Sequence, residues 1–298
     1  MKRKVSLLFV MLCLCLLFCS TVQAASPKLN KDKIVLLKGD TKKLTLKNAS
    51  GNVIWKSSDK TVAKVSENGK VTAVRAGKCE IRAKYKKKTY TCNVTVYASK
   101  MHYRITKLKQ SNTISKNQNK IVLAGSSSIT RWVDAAAHFK PYKVVNLGVA
   151  GSKVEDWQTY YSTIVKYNPK VIVWYLGGNN ITNNTPGLGN KTSQKLVKLM
   201  NSVRKQLPDT KIYFVSIHPN KKRWAGWNET KICNKVMREY CKKTRNFEYI
   251  DITGACLKNG VPNKALLVSD GLHFNKNGYT KIWYNIVAKT VKQDMKKK

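Results

Sequence analysis

From Lys120 onward, compact apolar runs alternate with stretches of helical period, and this alternation constrains the fold more than any other feature of the chain. The runs are 121–124, 143–147, 171–176, 211–216 and 249–251; the helix-period stretches between and after them are roughly 129–138, 153–166, 191–207, 228–245 and 276–292. A strand that is apolar at successive positions, rather than at every second one, has both faces buried. Strands of that kind joined by helices predict an α/β domain, a parallel sheet covered by helices on both sides. Ligands of such sheets bind beyond the carboxyl ends of the strands, so the residues just after each run are the candidate functional positions.

Residues 28–97 follow a different rule. Short segments alternate apolar and polar positions, as in Val62-Ala63-Lys64-Val65 and Tyr90-Thr91-Cys92-Asn93-Val94-Thr95-Val96, with breaks at Lys38-Gly39-Asp40, Ala49-Ser50-Gly51-Asn52 and Glu67-Asn68-Gly69. Short strands at this spacing with no helical period predict a β-sandwich. Trp55-Lys56-Ser57-Ser58-Asp59, Asn68-Gly69-Lys70-Val71, Ala76-Gly77-Lys78-Cys79 and the terminal Val94-Thr95-Val96 resemble the bacterial Ig-like group 2 domain. The resemblance covers 28–97 and implies a spacer or adhesive module without catalytic chemistry. Residues 98–119, polar and basic with little periodicity, read as a linker or a lead-in to the second domain, 120–298.

The first residues, Lys2-Arg3-Lys4 followed by an apolar run from Val5 to Cys19 and small residues at Val22 and Ala24, read as a secretory signal peptide over 1–24. That run is too short and wrongly flanked for a stable membrane span, and no later stretch is long enough, so a secreted or cell-surface protein is expected. The formal net charge is +42. Residues 26–97 hold 18 Lys/Arg against 5 Asp/Glu and residues 98–298 hold 36 against 10, so both halves are basic. Such a field favours anionic partners, and an exported chain meets anionic cell-wall polymers first. The lysines are scattered rather than interleaved with aromatics, so nucleic acid is not an expected partner. Three of the eight cysteines lie in the leader, and the odd number left predicts at least one free thiol. Cys79 and Cys92, on opposite arms of a hairpin turning near Lys86-Lys87-Lys88, are the favoured disulfide in an exported chain. Cys233 and Cys241 on one helix are about 12 Å apart at 1.5 Å rise per residue, too far to bridge.

Four segments at strand ends carry the chemistry. Gly125-Ser126-Ser127-Ser128-Ile129-Thr130 follows the first run and can expose a hydroxyl at a strand-to-helix turn, although Ser and Thr also serve simply as helix caps. Asn146-Leu147-Gly148-Val149-Ala150-Gly151-Ser152 follows the second and Gly177-Gly178-Asn179-Asn180 the third. Asp270-Gly271-Leu272-His273, just before the last helix, can present a carboxylate and an imidazole from one turn. A serine hydroxyl becomes a good nucleophile when an imidazole takes its proton, and the imidazole needs a carboxylate to fix its tautomer.

In this order the four segments resemble the SGNH hydrolases, or GDSL esterases, over about 120–292, and specifically their Gly-Ser-Ser-Ser-Ile bacterial branch. The resemblance implies a flavodoxin-like, three-layer αβα domain with a five-stranded parallel sheet. It implies Ser127 as nucleophile, His273 as general base, Asp270 as its orienting carboxylate, and an oxyanion hole made by the Ser127 and Gly151 amides with the Asn179 side chain. Sliding the match by one residue makes Ser128 the alternative nucleophile, and Asn180 stands where the family usually has Asp. Ser216-Ile217-His218-Pro219 with Arg223, Trp224 and Trp227 resembles the branch's segment at the active-site mouth, where the two tryptophans are a possible substrate wall. His102, His138 and His218 are not base candidates on spacing, and His138 reads as a helix C-cap.

The activity so implied is carboxylic-ester hydrolysis through an acyl-enzyme, with no metal and no organic cofactor. O-acetyl groups on polysaccharide or cell-wall glycan suit an exported basic enzyme. The alternatives are a lysophospholipase or short-chain lipid acylhydrolase, and a non-catalytic surface adhesin that only binds glycan.

Overall fold

The structure is a computed structural model, and it describes residues 25–297; the segment read as a signal peptide, 1–24, lies outside the described residues. The chain divides into two compact units after Lys100.

The first unit is a two-layer all-β structure. One sheet has the order β2 (Lys33–Leu37), β9 (Lys88–Tyr97), β8 (Gly77–Tyr85), β5 (Ile54–Ser57); the other has β3 (Thr41–Lys43), β7 (Lys70–Ala73), β6 (Ala63–Val65). Pairing is antiparallel except between β2 and β9. The alternation seen in the sequence is the cause. Cys79, Ile81, Ala83 and Tyr85 of β8 and Cys92, Val94 and Val96 of β9 point inward, while Arg82, Lys84 and Asn93 between them stay in water. β3 ends at Lys43, and a separate short strand β4 (Leu46–Lys47) pairs with β1 (Lys28–Leu29).

The expected Cys79–Cys92 disulfide is absent. The hairpin turns at Lys86-Lys87, which sets Cys79 opposite Val94 and Cys92 opposite Ile81. The two thiols are therefore diagonal neighbours on one face, two residues out of step, and both are free and buried. Cys233, Cys241 and Cys256 are also free and buried.

In the second unit, five parallel strands lie in the order β11 (Val144–Asn146), β10 (Ile121–Gly125), β12 (Val171–Tyr175), β13 (Lys211–Val215), β14 (Phe247–Ile250). Successive residues of each strand enter opposite cores, which is why the runs read as continuously apolar. Val122, Ala124, Ile172, Trp174, Ile212 and Phe214 join one core. Ile121, Leu123, Val171, Val173, Tyr213 and Val215 join the other. Helices Leu188–Gln206 and Trp227–Lys243 cover the first face with Leu196, Met200, Val203, Cys233 and Met237. Phe139 and the helical stretch 276–296, through Ile282, Trp283, Val287 and Val291, cover the second. The expected helix over 129–138 is two separate turns, Ser127–Thr130 and Ala135–His138.

Residues 98–119 are not a free linker. Lys100–Ser111 is a helix whose Met101 and Ile105 are buried in the first of these cores, with Leu108 and Ile114 packed against it, so the lead-in segment is built into the α/β unit. Among the described residues no helix is long and apolar enough to cross a membrane.

Candidate active site

β10 ends at Gly125, where φ is +133° and an added Cβ would lie 1.9 Å from the Tyr175 carbonyl oxygen of β12. Only glycine lets the two strands run this close while the chain turns. The Ser126 amide then extends the ladder by donating to the Tyr175 carbonyl (3.0 Å), and Ser127 opens the short helix. Ser126 holds the N-cap position without a side-chain cap bond, so the serine run does not serve as a helix cap. Ser127 is partly exposed, whereas Ser128 is 3% exposed and its carbonyl accepts from the Tyr279 hydroxyl (2.8 Å).

The segment 268–273 folds back on itself. The Gly271 amide donates to the Val268 carbonyl and the Val268 amide to the His273 carbonyl, while Gly271 takes φ +66°. Asp270 Oδ1 accepts from the amides of Leu272 (2.8 Å) and His273 (3.0 Å), an Asx turn that leaves Oδ2 for the imidazole. His273 Nδ1 lies 2.6 Å from Asp270 Oδ2, and Nε2 lies 3.0 Å from Ser127 Oγ. A carboxylate only accepts, so Nδ1 carries the proton and Nε2 is free to take one from the hydroxyl. Burial alone would raise the Asp270 carboxyl, but the bonds from the His273 ring and from the His273 and Leu272 amides outweigh it and hold the group well below the usual carboxylate range. The imidazole meets Ser127, not Ser128.

His218 supports this turn from below. It is 3% exposed; its Nε2 lies 3.0 Å from the Leu272 carbonyl oxygen, and its Nδ1 is hydrogen-bonded to the Tyr175 hydroxyl. A carbonyl accepts only, so Nε2 donates and Nδ1 accepts from tyrosine, which is the neutral ring. Burial pushes its pKa down to about 4; the Leu272 carbonyl opposes the shift, and the charges of Arg223 and His273 add to it. His138, read as a helix C-cap, instead accepts from the Trp132 indole through Nδ1 (2.9 Å).

The Asn179 Nδ2 donates to the Ser152 carbonyl (2.9 Å), and its Oδ1 accepts from Arg223 (2.8 Å). The amide has two N–H groups, so one remains for a ligand. Asn180, in the place of the family's usual Asp, is held at both ends of its amide: Oδ1 accepts from the Val154 amide (3.0 Å) and Nδ2 donates to Glu155 (2.8 Å). The substitution therefore ties the loop to the start of helix Val154–Tyr160.

A recess of about 20 Å³ opens beside Ser127, lined among others by Asn179, Ile217, His218, Arg223 and His273. Gly151 does not line it; it lies in the exposed turn after β11 with φ +79°. Among the described residues, neither the Ser127 nor the Gly151 amide has an intramolecular acceptor. Trp224 and Trp227 also stand outside the recess, partly exposed, with rings stacked at 5.9 Å and an interplanar angle of 15°. The sequence left His218 and Tyr175 without a function and placed Arg223 only at the mouth. Their contacts join strand ends 40 or more residues apart, and no local spacing signals them.

The comparisons agree with this geometry. A family model described as GDSL-like lipase/acylhydrolase matches residues 113–281, and one described as bacterial Ig-like domain (group 2) matches residues 22–96. No curated protein matches the sequence. Among solved structures, a candidate acylhydrolase from Bacteroides fragilis NCTC 9343 is 16% identical with a TM-score of 0.54, covering 66% of this chain and 99% of its own. A GDSL-like lipase from Bacteroides thetaiotaomicron VPI-5482 is 15% identical with a TM-score of 0.52, covering 66% and 98%. At that identity these structures attest the fold. With more than half its length matched and the serine, imidazole and carboxylate in one hydrogen-bonded line, the chain belongs to the GDSL-like lipase/acylhydrolase family, a serine ester hydrolase with an N-terminal bacterial Ig-like (group 2) domain.

Proposed function

We propose that this protein is an exported esterase that removes O-acetyl groups from polysaccharide or cell-wall glycan through an acyl-enzyme on Ser127. The observation that carries the catalytic reading is the line Asp270–His273–Ser127, at 2.6 and 3.0 Å. In this mechanism His273 Nε2 takes the Ser127 proton as Oγ attacks the ester carbonyl. Asp270 stabilises the resulting imidazolium and does not itself become protonated. The free N–H of Asn179 and the Ser127 and Gly151 amides stabilise the oxyanion. The imidazolium then protonates the leaving alcohol, and the same imidazole activates the water that releases the acid.

The recess beside Ser127 is small, about 20 Å³. That favours acetyl over a long acyl chain. The paired, partly exposed rings of Trp224 and Trp227 support a sugar-bearing alcohol, since stacked aromatics present flat apolar area at low entropic cost. The leader-like sequence of 1–24 supports export, and the excess of Lys/Arg over Asp/Glu in the rest of the chain, 18 against 5 in residues 26–97 and 36 against 10 in residues 98–298, supports attraction to anionic wall polymers.

The test is a p-nitrophenyl ester series from acetate to octanoate, run beside acetate release from acetylated glycan, with wild type, Ser127→Ala, Ser128→Ala and His273→Ala. Loss of activity in Ser127→Ala and His273→Ala, with preference for acetate, supports the reading. Full activity in His273→Ala refutes the mechanism. Preference for octanoate points to a lipid acylhydrolase, and an inert wild type that binds glycan tightly points to an adhesin.

A further inference from the structure

The guanidinium of Arg223 makes two contacts that the mechanism above leaves unused. One nitrogen donates to the Gly178 carbonyl (2.6 Å) and the other to Asn179 Oδ1 (2.8 Å). Its own place is set by Asn220, whose side-chain oxygen accepts from the Arg223 amide (3.0 Å) and whose Nδ2 donates to the His218 carbonyl. Arg223 lies in the 3₁₀ segment Lys221–Gly226 after β13, and Asn179 in the loop after β12, so the contact joins two strand ends.

An asparagine amide is nearly symmetric in shape, and rotating it by half a turn exchanges the oxygen with the nitrogen. Rotated in this way, Asn179 would aim a carbonyl oxygen where an oxyanion develops, turning a stabilising donor into a repelling acceptor. The Ser152 carbonyl accepts from the nitrogen side. Arg223, which has donors and no acceptor, can tolerate only the oxygen side. Each partner alone favours the productive rotamer. Together they exclude the other one, because the rotated amide would set nitrogen against guanidinium and oxygen against carbonyl.

We propose that Arg223 is a positioning residue that fixes the Asn179 side chain with its N–H toward the oxyanion, and so raises the rate of acyl transfer without binding the substrate. The inference rests on the esterase reading above. It separates Arg223 from a simple wall residue of the recess: its effect passes through Asn179 and is felt in the transition state.

The experiment is a double-mutant cycle on p-nitrophenyl acetate with Arg223→Met, Arg223→Lys, Asn179→Ala and Arg223→Met/Asn179→Ala, each checked for folding by circular dichroism. Deleting an oxyanion donor typically costs about 100- to 1,000-fold in kcat. Arg223→Met is expected to lose about tenfold or more in kcat, within that ceiling, with KM changed by less than about threefold. In the Asn179→Ala background the same replacement should cost no more than about twofold, because the group it positions is gone. Added guanidinium ion should restore part of the activity to Arg223→Met and none to the double variant.

Fully multiplicative effects, or a loss carried by KM alone, would overturn the proposal. If Arg223→Met does not fold, Arg223→Lys keeps the half-buried charge and carries the same comparison. Activity that survives Ser127→Ala defeats the esterase mechanism itself. Ser127-dependent activity with multiplicative Arg223 and Asn179 effects defeats only the positioning role.

Discussion

Replacing His218 by glutamine should remove a pH dependence from the stability of the α/β unit. The ring sits between the Tyr175 hydroxyl and the Leu272 carbonyl, and the nearby ionisable groups are Tyr175 on β12, Arg223 in the segment after β13, and His273 in the turn. Burial lowers its pKa from 6.5 to about 4, so between these values the unfolded chain binds a proton that the folded chain does not. Stability therefore rises with pH through this window: the cost is absent above about pH 6.5 and grows as pH falls toward 4. Linkage puts the loss at about 1.4 kcal/mol by about pH 5.5 and about 2.5 kcal/mol by about pH 4.5, relative to neutral pH. Asp270 works in a separate window. Its depressed carboxyl contributes stability that is present above the ordinary carboxylate range and is lost only below it. The assay is urea unfolding followed by tryptophan fluorescence at several pH values between 4.5 and 7.5, comparing wild type with His218→Gln; six of the seven tryptophans lie in this unit. All other titrating groups are common to both proteins, so the wild-type stability minus that of the variant should fall as the pH is lowered, by the stated amounts. A difference that stays flat within about 0.5 kcal/mol would refute the neutral, buried ring and with it the donor role of Nε2.

Three further outcomes follow from the geometry. Asp270→Asn preserves the size of the side chain but removes the charge that orients and stabilises His273, so kcat on p-nitrophenyl acetate should fall by about 1,000- to 10,000-fold. Gly125→Ala places a methyl 1.9 Å from the Tyr175 carbonyl oxygen at φ +133°, and should cost more than about 2 kcal/mol in chemical denaturation and displace Ser127 enough to abolish activity. Trp174→Ala empties a site that is fully buried against Trp157 (5.3 Å, edge to face), and should lose about 3–5 kcal/mol in the same assay while the β-sandwich unit melts unchanged.

Much of this architecture was legible because the relevant signals are local. The two-residue period of 28–97 and the continuous apolar runs after Lys120 record how many faces of each strand are buried, and the sandwich and the parallel sheet answer to them. The Asp270–His273 pair was legible for a similar reason: both groups sit in one turn, and the chain between them makes the Asx geometry. Readings that depended on register or on packing went astray. The Cys79–Cys92 pairing failed by two residues because a hairpin's register follows from its turn, and the turn closes at Lys86-Lys87. The segment 98–119 left a linker and a lead-in both open because its core-facing Met101, Ile105, Leu108 and Ile114 are set among polar and basic residues.

By itself, then, the sequence determined the two kinds of unit, the order of the strand-end segments and the residue types able to carry acyl transfer. Only the tertiary structure decided which serine meets His273 across 146 residues of chain, which face of Asn179 is turned to the site, and that His218 is a buried, neutral support. The physical reason is one of range. Periodicity and turn chemistry act between neighbours in the chain, whereas a hydrogen-bonded constellation at the ends of β10, β12 and β13 exists only once the sheet has set those ends side by side.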